Sequence, residues 1–154
     1  MDTWSQETRI IHFEKRIYLA GSIYNNPPGC NWKSEFKNFL HDRFPPTIGI
    51  TFSCIDPNPN MNNNEVANMS VVSVDKQMID SSDILVAYIE KCTFGTTMEI
   101  FYAYQQQNKL VIVIDPLEQF KHDIWLNYHS HKIVSRVGEA VTTIYNTYNN
   151  LILN

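Results

Sequence analysis

The chain has 154 residues, 44% of them hydrophobic, which suits one domain with a real core. Its formal net charge of −4 argues against binding a nucleic-acid polymer, which calls for a basic patch. No apolar run reaches the length of a membrane span, and Met1-Asp2-Thr3-Trp4-Ser5 lacks the basic-then-apolar order of a signal peptide, so a cytoplasmic protein without a membrane partner is expected. Cys30, Cys54 and Cys92 are odd in number and widely spaced, the pattern of reduced thiols rather than of a disulfide framework or a metal site.

Residues 1–15 read as an irregular leader and residues 16–154 as a single domain. Arg16-Ile17-Tyr18-Leu19-Ala20-Gly21 is the first strand, ending in glycine, and Pro27-Pro28-Gly29 breaks the loop after it. Trp32, Phe36, Phe39 and Leu40 recur at helical spacing, marking the core stripe of a helix that ends before Pro45-Pro46. Residues 48–54 form a second strand. The Asn/Pro-rich stretch 56–64 is a polar loop, and its position above the sheet edge makes it a candidate lid. Val71, Val74 and Met78, with Val72 and Ile79, predict a helix over residues 70–81.

Residues 84–89 and 110–114 are continuous apolar runs, the mark of buried parallel strands. Between them Gly95-Thr96-Thr97-Met98-Glu99 opens a helix that runs to about residue 107. A short helix carries Trp125 and Leu126, a short strand lies around Ile133-Val134, and a last helix covers about residues 136–150. Val137, Ala140, Val141, Ile144 and Tyr148 are its inner face. Strands alternating with helices predict a flavodoxin-like doubly wound α/β domain, with a parallel sheet of about five strands and helices on both faces.

In such a fold the loops at the carboxyl ends of the strands build the site. Glu99 is expected in the first helical turn at that edge. Two readings compete there: Thr96-x-x-Glu99 fits a capping box, and an ionised carboxylate at a binding edge is a candidate nucleophile. Asp75, expected near the start of its helix, faces the same crevice, whereas Asp83 falls at the opposite edge and Asp80 near a solvated helix end. Paired carboxylates suit glycosidic chemistry, one meeting the anomeric carbon and the other moving protons. Tyr18 is either a core tyrosine or a phenol that orients a carboxylate. Lys33 and Arg43 read as ordinary helix-surface cations. His129-Ser130-His131, if on a strand, would put both imidazoles on one side, but no third ligand is near, so a surface or interface role is preferred to a metal.

Four segments, Ile17-Tyr18-Leu19-Ala20-Gly21-Ser22, Asp75-x-x-x-Ile79-x-x-x-Asp83-Ile84-Leu85-Val86-Ala87, Gly95-Thr96-Thr97-Met98-Glu99-Ile100-x-x-Ala103 and Lys109-x-Val111-Ile112, resemble the nucleoside 2-deoxyribosyltransferase family. That family includes the 2'-deoxynucleoside 5'-monophosphate N-glycosidases. The resemblance spans roughly residues 16–145. It implies a nucleophilic Glu99 that forms a glycosyl-enzyme at C1', with Asp75 assisting the leaving group and Tyr18 positioning the nucleophile. It further implies substrate binding by Gly21, Ser22, Ile23, Thr93 and Gly95, with Ser22 at a 5'-phosphate. Asn127 aligns with a residue that reaches across a dimer interface. The implied substrate is a small nucleoside or nucleotide, the implied assembly a homodimer or larger homo-oligomer, and no cofactor or metal is called for. The chain departs from the family at Thr93, where the transferases carry an aspartate, and at Tyr24, where a phosphate-binding arginine is expected. A glycohydrolase acting on NAD-like dinucleotides and a non-catalytic nucleotide-binding sensor module are the alternatives.

Overall fold

The computed structural model describes residues 12–21, 31–45, 48–57, 65–91 and 93–152. Strands and helices alternate throughout: β1 (Phe13–Ala20), α1 (Trp32–Arg43), β2 (Ile50–Ile55), α2 (Glu65–Asp80), β3 (Ile84–Tyr88), α3 (Phe94–Tyr104), β4 (Leu110–Ile114), α4 (Ile124–Tyr128), β5 (Lys132–Val134) and α5 (Val137–Ile152). All strand pairs are parallel and the sheet order is β2-β1-β3-β4-β5. This is the expected flavodoxin-like winding. Its direction reverses between β1 and β3, the switch point outside which such sheets bind ligands.

Alternation along each strand sorts the core into two layers. Ile17, Leu19, Ile84, Val86, Ile112 and Ile114 face α1 and α5, meeting Trp32, Phe36, Leu40, Val137, Ala140, Val141 and Ile144. Tyr18, Ala20, Leu85, Ala87, Val111 and Val113 face the other way, onto Ile79 of α2 and Ile100 and Ala103 of α3. Each fully buried aliphatic side chain contributes roughly 1.5–3 kcal/mol relative to an exposed one. These strands are apolar on both faces because helices cover both.

Several boundaries differ from the sequence reading. β1 begins at Phe13, inside the expected leader, because Phe13 N–H donates to Gly49 O and the β1–β2 pairing extends to Phe13↔Ile50. β2 starts at Ile50; Ile48 instead donates to Pro45 O in a turn. Helix α2 starts at Glu65, five residues ahead of the predicted start, so Asp75 lies well along the helix rather than near its beginning. The candidate lid at 56–64 lies outside the described residues apart from Asp56 and Pro57. On α1, Phe39 leaves the core stripe and is 44% exposed, its ring resting beside Gly138.

Candidate active site

Helix α3 is capped by Thr93, not by Thr96. Thr93 is extended (φ −106°, ψ 148°), and its Oγ1 accepts from Thr96 N–H at 3.3 Å and donates to Thr96 Oγ1 at 2.9 Å. The cap therefore lies three residues earlier than predicted, and Glu99 sits in the second turn of the helix. The capping-box reading is thereby removed: the carboxylate is turned to the sheet instead of back to the helix amides. There Tyr18 Oη donates to Glu99 Oε1 at 2.8 Å. The phenol reaches it because Tyr18 is on the α2–α3 face of β1, one of two adjacent strands at the switch point.

Burial is the largest influence on Glu99 and pushes its carboxyl up to about 7, with the charge of Asp75 adding to the rise. The Tyr18 hydrogen bond and the charge of Lys33 act in the opposite sense. Asp75 is half-buried and is also raised, by desolvation. Tyr18 is fully buried; desolvation first, and then Glu99, raise its phenol far above the ordinary range, so it remains a donor. Two carboxyls and a phenol thus converge from α3, α2 and β1.

A further pair was not legible as part of the site. Lys33, read as a surface cation, is buried, and its Nζ lies 2.5 Å from Asp56 Oδ1. Lys37, one turn along α1, meets the other Asp56 oxygen at 3.2 Å from an exposed position. Burial would raise the Asp56 carboxyl, but the two ammoniums outweigh it and hold it below the ordinary carboxylate range. Asp56 follows the last residue of β2, and Ile55 pairs with Tyr18, so this cluster stands at the carboxyl edge beside β1. The usable signal was a lysine in the first turn of the helix after β1, with an aspartate directly after β2.

Among the other expected binding residues, Gly21 ends β1 at φ +125°, and a Cβ there would come 2.7 Å from Tyr88 O. Only glycine allows this close approach of β1 to β3. Gly95 lies in the exposed first turn of α3 with open space around it. Ser22 and Ile23 lie outside the described residues. Asn127 is not brought to Glu99 within this chain: its Nδ2 donates to Lys121 O and Asp123 O beside α4.

Asp83 is structural as expected, accepting from Arg16 N–H at 2.9 Å at the far edge. Asp80 accepts from Tyr102 Oη and Gln106 Nε2. Arg43 is exposed and stacks on Tyr145. The Cys54 thiol is pushed up to about 11 by burial, which keeps it neutral. Cys30 and Cys92 lie outside the described residues. His129 and His131 are not on a strand. His129 caps the end of α4, with Nδ1 2.8 Å from Trp125 O, and His131 Nδ1 accepts from Val111 N–H just before β5. No group of three or more His, Cys, Asp or Glu side chains among the described residues could hold a metal ion. No helix of the described residues is long and apolar enough to cross a membrane.

On the other side of α3 an apolar groove of about 460 Å³ runs between α3 and α4, lined by Thr97, Met98, Phe101, Trp125, Leu126 and His129 among others. Phe94, Met98, Ile124, Trp125 and Tyr128 are largely exposed around it.

Comparison with known proteins agrees with the fold. Residues 14–117 match the family described as nucleoside 2-deoxyribosyltransferase like. A 2-deoxyribosyltransferase from the psychrotolerant bacterium Bacillus psychrosaccharolyticus superimposes with a TM-score of 0.62 at 20% identity, over 82% of this chain and 90% of that one. A conserved protein from Enterococcus faecalis gives 0.61 at 13% identity, over 88% and 99%. A CMP N-glycosidase from Clostridium botulinum gives 0.52 at 16% identity, over 84% and 98%. A search of curated protein sequences gives no match. With a matching fold and a family match across most of its length, the chain belongs to the nucleoside 2-deoxyribosyltransferase-like family.

Proposed function

We propose that the protein cleaves or transfers the N-glycosidic bond of a (2'-deoxy)nucleoside or its 5'-monophosphate through a covalent glycosyl-enzyme on Glu99. The observation that carries this reading is the Tyr18–Glu99 hydrogen bond beside Asp75, at the switch-point edge of a fold shared with a deoxyribosyltransferase and an N-glycosidase. Near neutrality Glu99, its carboxyl raised to about 7 by burial, lies between its acid and anionic forms. Tyr18 and Lys33 favour the anion on Glu99, and desolvation favours the acid form of Asp75.

A Glu99 carboxylate oxygen attacks C1', the C1'–N bond breaks, and the departing base takes the Asp75 proton. A second base or a water then attacks C1' from the opposite side, gives its proton to Asp75, and releases Glu99. Two displacements retain configuration at C1'. Transfer and hydrolysis differ only in the acceptor. Gly21, Thr93 and Gly95, with Ser22 and Ile23 in the segment after β1, are proposed to line the substrate site.

The protein is proposed to work as a homodimer or larger homo-oligomer, with the exposed apolar face of α3 and α4 as the contact and Asn127 of α4 completing the partner's site. Aromatic side chains exposed in this density suit an interface.

The test is product chromatography with deoxynucleosides and their 5'-monophosphates, with and without a second base, beside Glu99→Ala. Free base or exchanged nucleoside from the unmodified protein alone supports the reading, and the added base separates transferase from hydrolase. Nicotinamide release from dinucleotides without base exchange would favour the glycohydrolase. Equal ligand-induced thermal shifts in both proteins without product would favour a sensor module.

A further inference from the structure

Helix α4 belongs to a segment that starts and ends on the same strand. At its front Asp115 closes β4, and its buried carboxylate accepts from Gln119 N–H at 3.2 Å and Phe120 N–H at 2.7 Å. At its back His131 returns to β4 just before β5 begins. His131 N–H donates to Val111 O at 2.8 Å, and Val111 N–H donates to His131 Nδ1 at 2.9 Å.

In a parallel ladder the N–H and C=O of one residue both pair with the backbone of the neighbouring strand. Val111 has half of that arrangement. The chain is still leaving α4 at His129, and the imidazole of His131 takes the place of a strand carbonyl as acceptor. A carbonyl accepts at any pH, but an imidazole does not. Nδ1 offers a lone pair only while the ring is neutral with its proton on Nε2; an imidazolium carries hydrogen on both nitrogens. Protonation would set one N–H against another. Val111 is fully buried, so its amide would lose its acceptor where water does not replace it. His131 itself is exposed, so protons reach the ring. Imidazole is the side chain whose ordinary charge change falls between pH 5 and 8.

The groups around the ring do not hold it charged. From α3 it meets the Tyr104 ring, 5.2 Å between centroids, and Tyr104 also meets Tyr128 and His129 of α4. From β4 it meets uncharged Val111, and β5 begins with Lys132. Among the described residues no carboxylate pairs with it.

We propose that His131 is a proton-sensitive clasp: neutral, it fastens the end of the α4 segment to β4, and protonated, it lets that end go. Asp115 keeps its hold on the front, so acid loosens the segment at one end and leaves the sheet intact. The segment carries Trp125 and Asn127, so release reaches the α3–α4 face proposed above as the contact between copies. The clasp itself does not depend on the glycosidic reading.

The experiment is hydrogen exchange of the Val111 amide by NMR at pH 8 and pH 5.5, each rate referred to the intrinsic rate at that pH. Val111 protection is expected to fall about tenfold in acid, the size of one lost hydrogen bond to a buried amide, while Val86 on β3 keeps its protection. At pH 8 the ring proton should be on Nε2. His131→Asn puts an amide oxygen near the place of Nδ1 and should keep Val111 protected at both pH values. Glu99 and the other histidines remain in that variant, so the difference between the two proteins belongs to His131. A proton on Nδ1 at pH 8, equal Val111 protection at both pH values, or the same fall in His131→Asn overturns the proposal. Should His131→Asn not fold, the first two readings on the unmodified protein decide.

Discussion

Tyr18 and Glu99, 81 residues apart in sequence, meet through a 2.8 Å hydrogen bond from phenol to carboxylate across the switch point of the sheet. The bond ties a fully buried strand residue to the second turn of α3. It fixes one carboxylate oxygen and favours the ionised form against the burial that opposes it. Tyr18→Phe should therefore reduce kcat roughly 10- to 100-fold, from about 1.5–3 kcal/mol for a hydrogen bond to a charged group. Steady-state kinetics between pH 6 and about 9 checks this: part of the loss should persist at high pH, where ionisation no longer limits and alignment alone is missing.

The free enzyme should gain activity as pH rises through about 7. The Glu99 carboxyl is raised to that value by burial, so below it the proposed nucleophile holds a proton and cannot attack. On the acid side kcat/KM should fall by about tenfold per pH unit. A profile already flat from pH 5 upwards would contradict the placement of Glu99.

Thr93→Ala should lower stability by about 1 kcal/mol, the ordinary cost of a lost N-cap, because Thr93 holds a free amide in the first turn of α3. Glu99→Gln should leave the melting temperature little changed, since Glu99 caps nothing. Thermal melts of the two variants side by side test the new start of α3.

Gly21→Ala should destabilise the fold by about 1–3 kcal/mol from the backbone conformation alone, with the contact to Tyr88 O adding to it. The Tyr88 ring stacks on Trp32 at 5.1 Å, so strain there should also reach the start of α1. Denaturant melts give the size of the loss.

Trp125→Glu should turn an oligomer into a monomer while the fold is kept, because Trp125 is 74% exposed and its stacking partner, His129, is the cap of its own short helix. Sedimentation of both proteins at equal concentration decides it; an unchanged assembly would remove the α3–α4 face from the interface.

The fold was readable because its central strands β3 and β4 are buried on both faces: residues such as Ile84-Leu85-Val86-Ala87 leave no polar alternation to confuse with a surface strand. Boundaries were less so. The start of α3 was misplaced because Thr96 and Thr93 are both good caps, and only the extended backbone of Thr93 separates them. The start of α2 was misplaced because the helix begins where the sequence is still rich in asparagine. Glu99, Asp75 and Tyr18 were singled out through motif and topology together, and the structure joins Tyr18 to Glu99 by a hydrogen bond. Lys33 and Asp56 were missed because their pairing depends on how α1 crosses the end of β2, which no local spacing encodes. The surface or interface role expected of His129-Ser130-His131 does not describe His129, which is buried against Phe101 and Tyr104 at the end of α4 because that helix extends almost to β5.

Everything proposed for the site turns on the covalent role of Glu99, which intact-protein and peptide mass spectrometry of acid-quenched turnover can decide. A sugar adduct should appear on the peptide containing Glu99 during turnover and be absent in Glu99→Gln. Base release without any adduct, persisting in Glu99→Gln, would contradict that role.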